Sequence, residues 1–190
     1  QTCALPICDW TLANPGDFRK IGNSSSRYPY SFDLSADWKG FDIRGFFQGI
    51  GKRDWYAGGG NHYFWGIYAQ PWTNVQTHNL DHWTPENPNA YYPRVKAYIA
   101  ESTGSELACV QTRYMQDASY LRMKNLTIGY TLPQDLTRKL NIERVRFYFS
   151  GENLFEITHL KANLDPEALD SSSKVYPLQR SYSFGVNLTF

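Results

Sequence analysis

The chain is short of cysteine, of net charge and of long apolar runs. Only Cys3, Cys8 and Cys109 are present among 190 residues. An odd number at no metal-ligand spacing excludes a disulfide framework and a zinc site. Nineteen basic residues against eighteen acidic ones leave a net charge of +1, which removes the electrostatic basis for binding nucleic acid or an anionic lipid surface. The mean hydropathy is −0.53, and no run approaches the roughly 20 apolar residues of a membrane helix. That excludes a helical span only, because a barrel strand needs about 10 residues and averages out as polar. There is also no nucleophile elbow, no phosphate-binding glycine loop and no CxxC pair, so the chain is read as carrying no enzyme activity and no cofactor.

Aromatic residues, by contrast, are abundant: 14 Tyr, 11 Phe and 6 Trp, 16% of the chain. Barrels use such residues as interfacial girdles, and carbohydrate-binding surfaces use them as stacking platforms. Their placement is regular in several segments. In 182–190, Tyr182, Phe184, Val186, Leu188 and Phe190 share one parity, and Ser183, Gly185, Asn187 and Thr189 share the other. Strict alternation gives a strand with one apolar and one small polar face. Such a strand suits a barrel wall, with the apolar side toward lipid and the polar side toward a wet lumen.

The same period predicts strands over 30–38, 41–51, 119–132, 142–152 and 181–190. Phe32, Leu34, Phe147, Phe149, Phe184, Val186, Leu188 and Phe190 take the lipid parity. Asp42, Arg44, Arg144 and Arg146 take the lumen parity, as they must where Arg at the lipid midplane costs about 2–4 kcal/mol. Lys39-Gly40 reads as a two-residue hairpin turn. In 119–132 the parity is interrupted, since Arg122 and Lys124 share the phase of Leu126 and Ile128. Either a bulge near Lys124-Asn125 flips the register, or those charges stand above the membrane. Pro133 to Leu140 has room for one helical turn.

Short connections (39–40 and 133–141) alternate with long ones (52–118 and 153–180). That is the asymmetry of periplasmic turns and extracellular loops. The first long loop holds Trp55, Tyr56, Tyr63, Phe64, Trp65, Tyr68, Trp72, Trp83, Tyr91 and Tyr92. Trp55, Tyr56, Tyr63, Trp65, Tyr68, Trp72 and Trp83 are the candidates for contact with a substrate or a covering lid. The competing use of these rings is a small core that packs the loop on itself. His78 and His82, spaced i,i+4, have no evident third ligand, and no metal site is expected. Asp165-Pro-Glu167 reads as an ordinary turn. The arginines of the lumen parity serve either to line a solute path or to pair with Asp33, Asp37 or Asp42. The sequons at Asn125 and Asn187 lie within strands and are read as chance.

Several runs carry a resemblance. The segment DASYLRMKNLTIGYTLP from Asp117 to Pro133 resembles a signature of SusC/RagA-type TonB-dependent transporters of Bacteroidota. FSGENLF from Phe149 to Phe155, the closing Tyr182–Phe190 run, Ile21-Gly-Asn, and Ser35–Phe41 continuing through Phe47–Gly51 are similar to the same family. The resemblance covers nearly everything from about residue 9. It implies an all-β fold, namely the C-terminal antiparallel strands of a large outer-membrane barrel of about 22 strands with a plugged lumen. It further implies import of oligosaccharides or peptides, energy relayed by TonB through an upstream region, and a SusD-like surface lipoprotein as lid. Five strands cannot close a barrel, so this stretch is not expected to insert or transport alone. Residues 1–8 resemble the translation of a sequencing adapter and are expected not to belong to the gene. Two other readings compete: a soluble, secreted carbohydrate-binding β-sandwich, and an adhesin barrel without transport.

Overall fold

In a computed structural model of the chain, residues 19–58, 61–70, 72–96, 107–169, 176 and 178–190 are described. The expectation for residues 1–8 lies outside them. Alternating side chains organise one antiparallel sheet from β1 (Arg27–Trp38), β2 (Phe41–Lys52), β5 (Tyr120–Thr131), β6 (Arg144–Glu152) and β8 (Ser181–Thr189), in the order β1-β2-β5-β6-β8. The short β7 (Glu156–Thr158) pairs with the start of β5. A separate two-stranded ribbon joins β3 (Asp54–Trp55) to β4 (Gln116–Asp117). Short helices α1 (His62–Trp65) and α2 (Gln134–Thr137) sit in the connections.

The β1–β2 hairpin turns on two residues, with Trp38 opposite Phe41. Lys39 and Gly40 both have positive φ, 47° and 88°. That is the backbone of the tight turn matched to the twist of paired strands. Between β5 and β6, α2 runs into a 3₁₀ turn over Arg138–Leu140, which ends on Asn141 in the left-handed region.

The interrupted parity of β5 resolves as a bulge. Phe46 pairs with Asn125 and the next residue, Phe47, pairs with Met123, so Lys124 is the extra residue. One inserted residue moves everything before it to the other face. Leu121 and Met123 thereby join the apolar face, and Arg122 and Tyr120 join the polar one, opposite Gln48 and Ile50.

With this register the two faces are chemically distinct. One row across the apolar face runs Trp38, Phe41, Tyr130, Phe147, Val186, beside the short turns. The next runs Ala36, Ile43, Ile128, Phe149, Phe184. Rings meet across strands, Phe32 stacking on Phe47 at 4.7 Å, Phe41 on Tyr130 at 4.4 Å and Phe149 near Phe184 at 5.1 Å between centroids. The opposite face carries rows such as Ser35, Arg44, Thr127, Ser150, Ser183.

The apolar face has no cover among the described residues: Leu34, Trp38, Phe147, Phe184 and Leu188 are all exposed. A β-sandwich would lay a second sheet there, and the only other sheet among the described residues, β3–β4, has two residues per strand. The buried apolar core lies instead in the long connection between β2 and β5.

Candidate functional site

The β2–β5 connection is long enough to need a core of its own, and its aromatics supply it. Trp55, Phe64, Trp65, Tyr68, Tyr92 and Tyr114 pack together with Ala57, Ala69, Leu107 and Ala118. Trp65 meets Phe64 and Tyr114 edge-on, at 4.9 and 5.2 Å, and Tyr68 stacks on Tyr92 at 5.8 Å. Three of the buried polar tips find backbone acceptors, as burial favours. Trp65 Nε1 donates to Ala57 O (2.7 Å), Tyr68 Oη to Pro93 O (2.6 Å) and Tyr92 Oη to Phe64 O (3.2 Å). Asn61 starts α1 by accepting the Phe64 amide proton on its side-chain oxygen at 2.9 Å, a cap that satisfies one of the orphan donors of a helix start. Burial pushes the Tyr68 and Tyr92 hydroxyls well above the usual tyrosine range.

This packing corrects the expectation for three of the aromatic candidates. Trp55, Trp65 and Tyr68 are 8%, 0% and 2% exposed and have no ring face to offer a ligand or lid. They build the loop core because this long connection buries its own apolar surface before it presents any. Tyr56 is half-buried and donates its hydroxyl to the Leu107 and Cys109 carbonyls. Tyr63 is half-buried against the His78 ring at 5.3 Å. Trp72 and Trp83 remain open, at 75% and 38% exposed. Trp83 lines a groove with His82, Pro85, Arg94 and Val95.

The two histidines are used structurally. His78 Nε2 donates to Tyr63 O at 2.9 Å, and His82 Nδ1 donates to Asn79 O at 3.1 Å. Burial lowers the His78 pKa below its ordinary value, and the Tyr63 and Phe64 carbonyls oppose that shift only in part. Among the described residues no group of three His, Cys, Asp or Glu side chains is arranged to hold a metal.

Two arginines of the polar face pair with carboxylates of neighbouring strands. Arg44 forks onto Asp33, with Nε to Oδ2 at 3.1 Å and Nη2 to Oδ2 at 2.6 Å. Arg146 of β6 reaches Asp42 of β2, with Nε to Oδ1 at 2.9 Å. Arg144 is exposed at the start of β6. The densest cluster centres on Arg122, whose side chain is 3% exposed. Its guanidinium binds Glu156 of β7, Asp165 (2.7 Å) and Glu167 (3.4 Å), while Lys124 Nζ binds Glu167 at 2.6 Å. Burial alone would raise the Asp165 carboxyl. The Leu178 amide, the Arg122 guanidinium and the Glu167 amide outweigh it and hold that pKa below the usual value. Asp165 opens the expected turn, its carbonyl accepting the Ala168 amide proton at 3.1 Å, and the ionic cluster is what the sequence does not show. Its signal was the pair of cations, Arg122 and Lys124, at a parity otherwise apolar.

No protein-family model matches the chain. It is 29% identical to TonB-dependent receptor P3 of Formosa agariphila in an alignment of 191 positions that covers 92% of this chain. It is 26% identical to TonB-dependent receptor P26 of the same organism in an alignment of 174 positions that covers 85% of this chain. It spans 17% of the length of each of these relatives. Among solved structures, it is similar to the RagAB peptide importer in the open-open state, with a TM-score of 0.62 and 26% identity over 93% of this chain and 18% of that one. The closed-closed state of the same importer gives a TM-score of 0.63 at the same identity and coverage.

Proposed function

We propose that this chain, a stretch of a SusC/RagA-type TonB-dependent receptor, is the C-terminal wall of a nutrient-importing barrel in the bacterial outer membrane. Supporting the importer reading, the relatives are receptors and an importer rather than enzymes. The observation that carries the membrane reading is the two-faced sheet. Among the described residues its apolar face is uncovered, and charges lie on the other side, where Arg44 pairs with Asp33 and Arg146 with Asp42. Twelve-residue strands are about 40 Å long at roughly 3.3 Å per residue. Tilted by about 45°, they span close to the ~25 Å band of a transmembrane barrel. In this reading Phe32, Leu34, Phe147, Phe149, Phe184, Val186, Leu188 and Phe190 face lipid, and the row Trp38, Phe41, Tyr130, Phe147 is the periplasmic aromatic girdle.

The polar face, with Asp42, Arg44, Arg144 and Arg146, then lines the lumen of a barrel of about 22 strands. Closure needs the remaining strands, because an open edge in lipid leaves backbone groups unsatisfied. The connections 39–40 and 133–141 are periplasmic, and 52–118 and 153–180 extracellular. The cargo is an oligosaccharide or a peptide, taken up beneath a SusD-like lipoprotein lid with energy delivered by TonB to the upstream part of the receptor. Trp72 and Trp83, with the half-buried Tyr56 and Tyr63, are the candidate loop aromatics with surface to meet cargo or lid.

The experiment is uptake of fluorescent peptides and oligosaccharides by cells carrying the complete receptor gene, cells lacking it, and cells lacking TonB. Uptake of at least one cargo class lost in both deletions supports the importer. Uptake of every cargo unchanged in both contradicts it.

A further inference from the structure

The second long connection does not stand free of the sheet. After β6 it returns through β7, which pairs with the start of β5, Leu121 opposite Ile157. Residues 159–169 then come back to the polar face, where Asp165 and Glu167 close on Arg122 and Lys124. Asp165 also accepts the Glu167 amide proton on Oδ1 and the Leu178 amide proton on Oδ2, each at 2.9 Å. One carboxylate therefore ties two points of the loop to a strand arginine.

The same segment completes the aromatic core of the first long connection. Leu160, Ala162, Leu164 and Leu169 pack against that core. Lys161 stands over the Tyr91 ring, 3.7 Å from its centroid, and its amide donates to Gln116 Oε1 at 3.2 Å. Two connections separated by β5 and β6 thus share one core, and the Arg122 cluster is the bond between that core and the sheet.

We infer that the described residues of the two long loops are a single body latched to the inner wall through Arg122, a fixed rim in this sector of the barrel mouth rather than a pair of independent moving lids. The latch works because Arg122 is buried. A planar guanidinium with fixed forks reaches several carboxylates at once, and an amide in place of the Asp165 carboxylate turns one of its two acceptor oxygens into a donor that faces the Leu178 amide, or the Glu167 amide and Arg122. Lys124, a quarter exposed and on Glu167 alone, is the lesser contact. The position of the rim at a barrel mouth rests on the function proposed above; the latch itself does not.

The test is hydrogen exchange on the complete receptor, wild type against Asp165→Asn and Arg122→Gln. The amides of Lys161, Glu167 and Leu178 are read for the second loop, Ala118 for the first, and β6 and β8 for the wall. In Asp165→Asn the loop amides, Ala118 included, are expected to exchange roughly a hundredfold faster or more, with the β6 and β8 amides unchanged. Loop amides as protected as in wild type would overturn the latch. Fast exchange confined to 159–169, with Ala118 unmoved, would overturn the single body. Asp165→Asn lies outside the strands and decides the matter even where Arg122→Gln impairs barrel assembly. Because exchange reports on the loops whether or not cargo is imported, failure of the latch and failure of the transport reading are separable.

Discussion

Arg146 of β6 crosses the intervening strand to bind Asp42 of β2, and the pair lies directly over Gly129 of β5. A Cβ at Gly129 would occupy the space of both side chains. The glycine is thus the floor of an ion pair that staples three strands.

Two glycine variants separate displacement of side chains from displacement of backbone. Gly129→Ala pushes away the flexible ends of Arg146 and Asp42 and is expected to cost about 1 kcal/mol, at the low end of the overpacking range. Gly49→Ala would drive its Cβ into the Tyr120 backbone carbonyl as well as the Tyr30 ring. It is expected to cost about 3 kcal/mol or to block assembly. Urea unfolding of the complete receptor in detergent, followed by the gel shift of the folded barrel, checks the order.

The aromatic loop core makes opposite demands on two tryptophans. Trp65→Ala removes a fully buried ring with a hydrogen bond to Ala57 and is expected to cost the loop body about 3–5 kcal/mol. Trp72→Ala removes a ring that is mostly in water and is expected to change loop stability by less than about 0.5 kcal/mol. Limited proteolysis between β2 and β5 reads the difference. A loss of uptake in Trp72→Ala with an intact loop would mark that ring as a contact for cargo or lid.

The loop body is expected to weaken in acid in two stages. The pKa of His78 is lower in the folded loop than its ordinary 6.5, so the unfolded loop binds a proton that the folded one refuses. Its contribution is complete above about 6.5 and is lost as pH falls through that value toward the folded pKa. The pKa of Asp165 is also lowered, from an ordinary 3.8. Its contribution is complete above that value and disappears as pH falls toward the folded pKa. Exchange of the Asn79 amide at pH 7.5 and 5.5, corrected for intrinsic rates, checks the first stage, and His78→Gln is expected to abolish the difference. Exchange of the Leu178 amide between pH 5 and pH 3 checks the second.

Charge on the two faces should be tolerated unequally. Phe184→Arg puts a guanidinium on the apolar face, where the cost at a lipid midplane is about 2–4 kcal/mol. Ser183→Arg, one residue away, puts it on the polar face opposite Ser150 and is expected to be near neutral. The yield of folded receptor in outer-membrane fractions compares them.

What could be read from the sequence follows the physics of each element. Alternation over 30–38, 41–51 and 181–190 announces faces and strands, because a period of two leaves one consistent assignment. The bulge at Lys124 was legible as an alternative, since two cations sat where Leu126 and Ile128 required apolar company. Its outcome was not, because the register depends on partners: Phe46 to Asn125, then Phe47 to Met123. The loop was the least legible part. Nothing local distinguishes Trp65, wholly buried, from Trp72, mostly in water, because burial there depends on Tyr92, Tyr114 and Leu160 returning from far along the chain. The Arg122 cluster was hidden for the same reason, Glu156 and Asp165 lying 34 and 43 residues away.

The central claim is that one face of this sheet meets lipid and the other a water-filled lumen. In the complete receptor with Cys3, Cys8 and Cys109 replaced by Ser, single cysteines at 147, 149, 184 and 186 and at 146, 148, 183 and 185 would carry a nitroxide label in native-like bilayers. Power saturation with oxygen and with a water-soluble nickel chelate then reports the surroundings of each position. Oxygen contact dominant at 147, 149, 184 and 186, and nickel contact dominant at 146, 148, 183 and 185, is the expected result. Equal nickel contact at both sets, or the reverse alternation, would contradict the membrane wall and with it the importer.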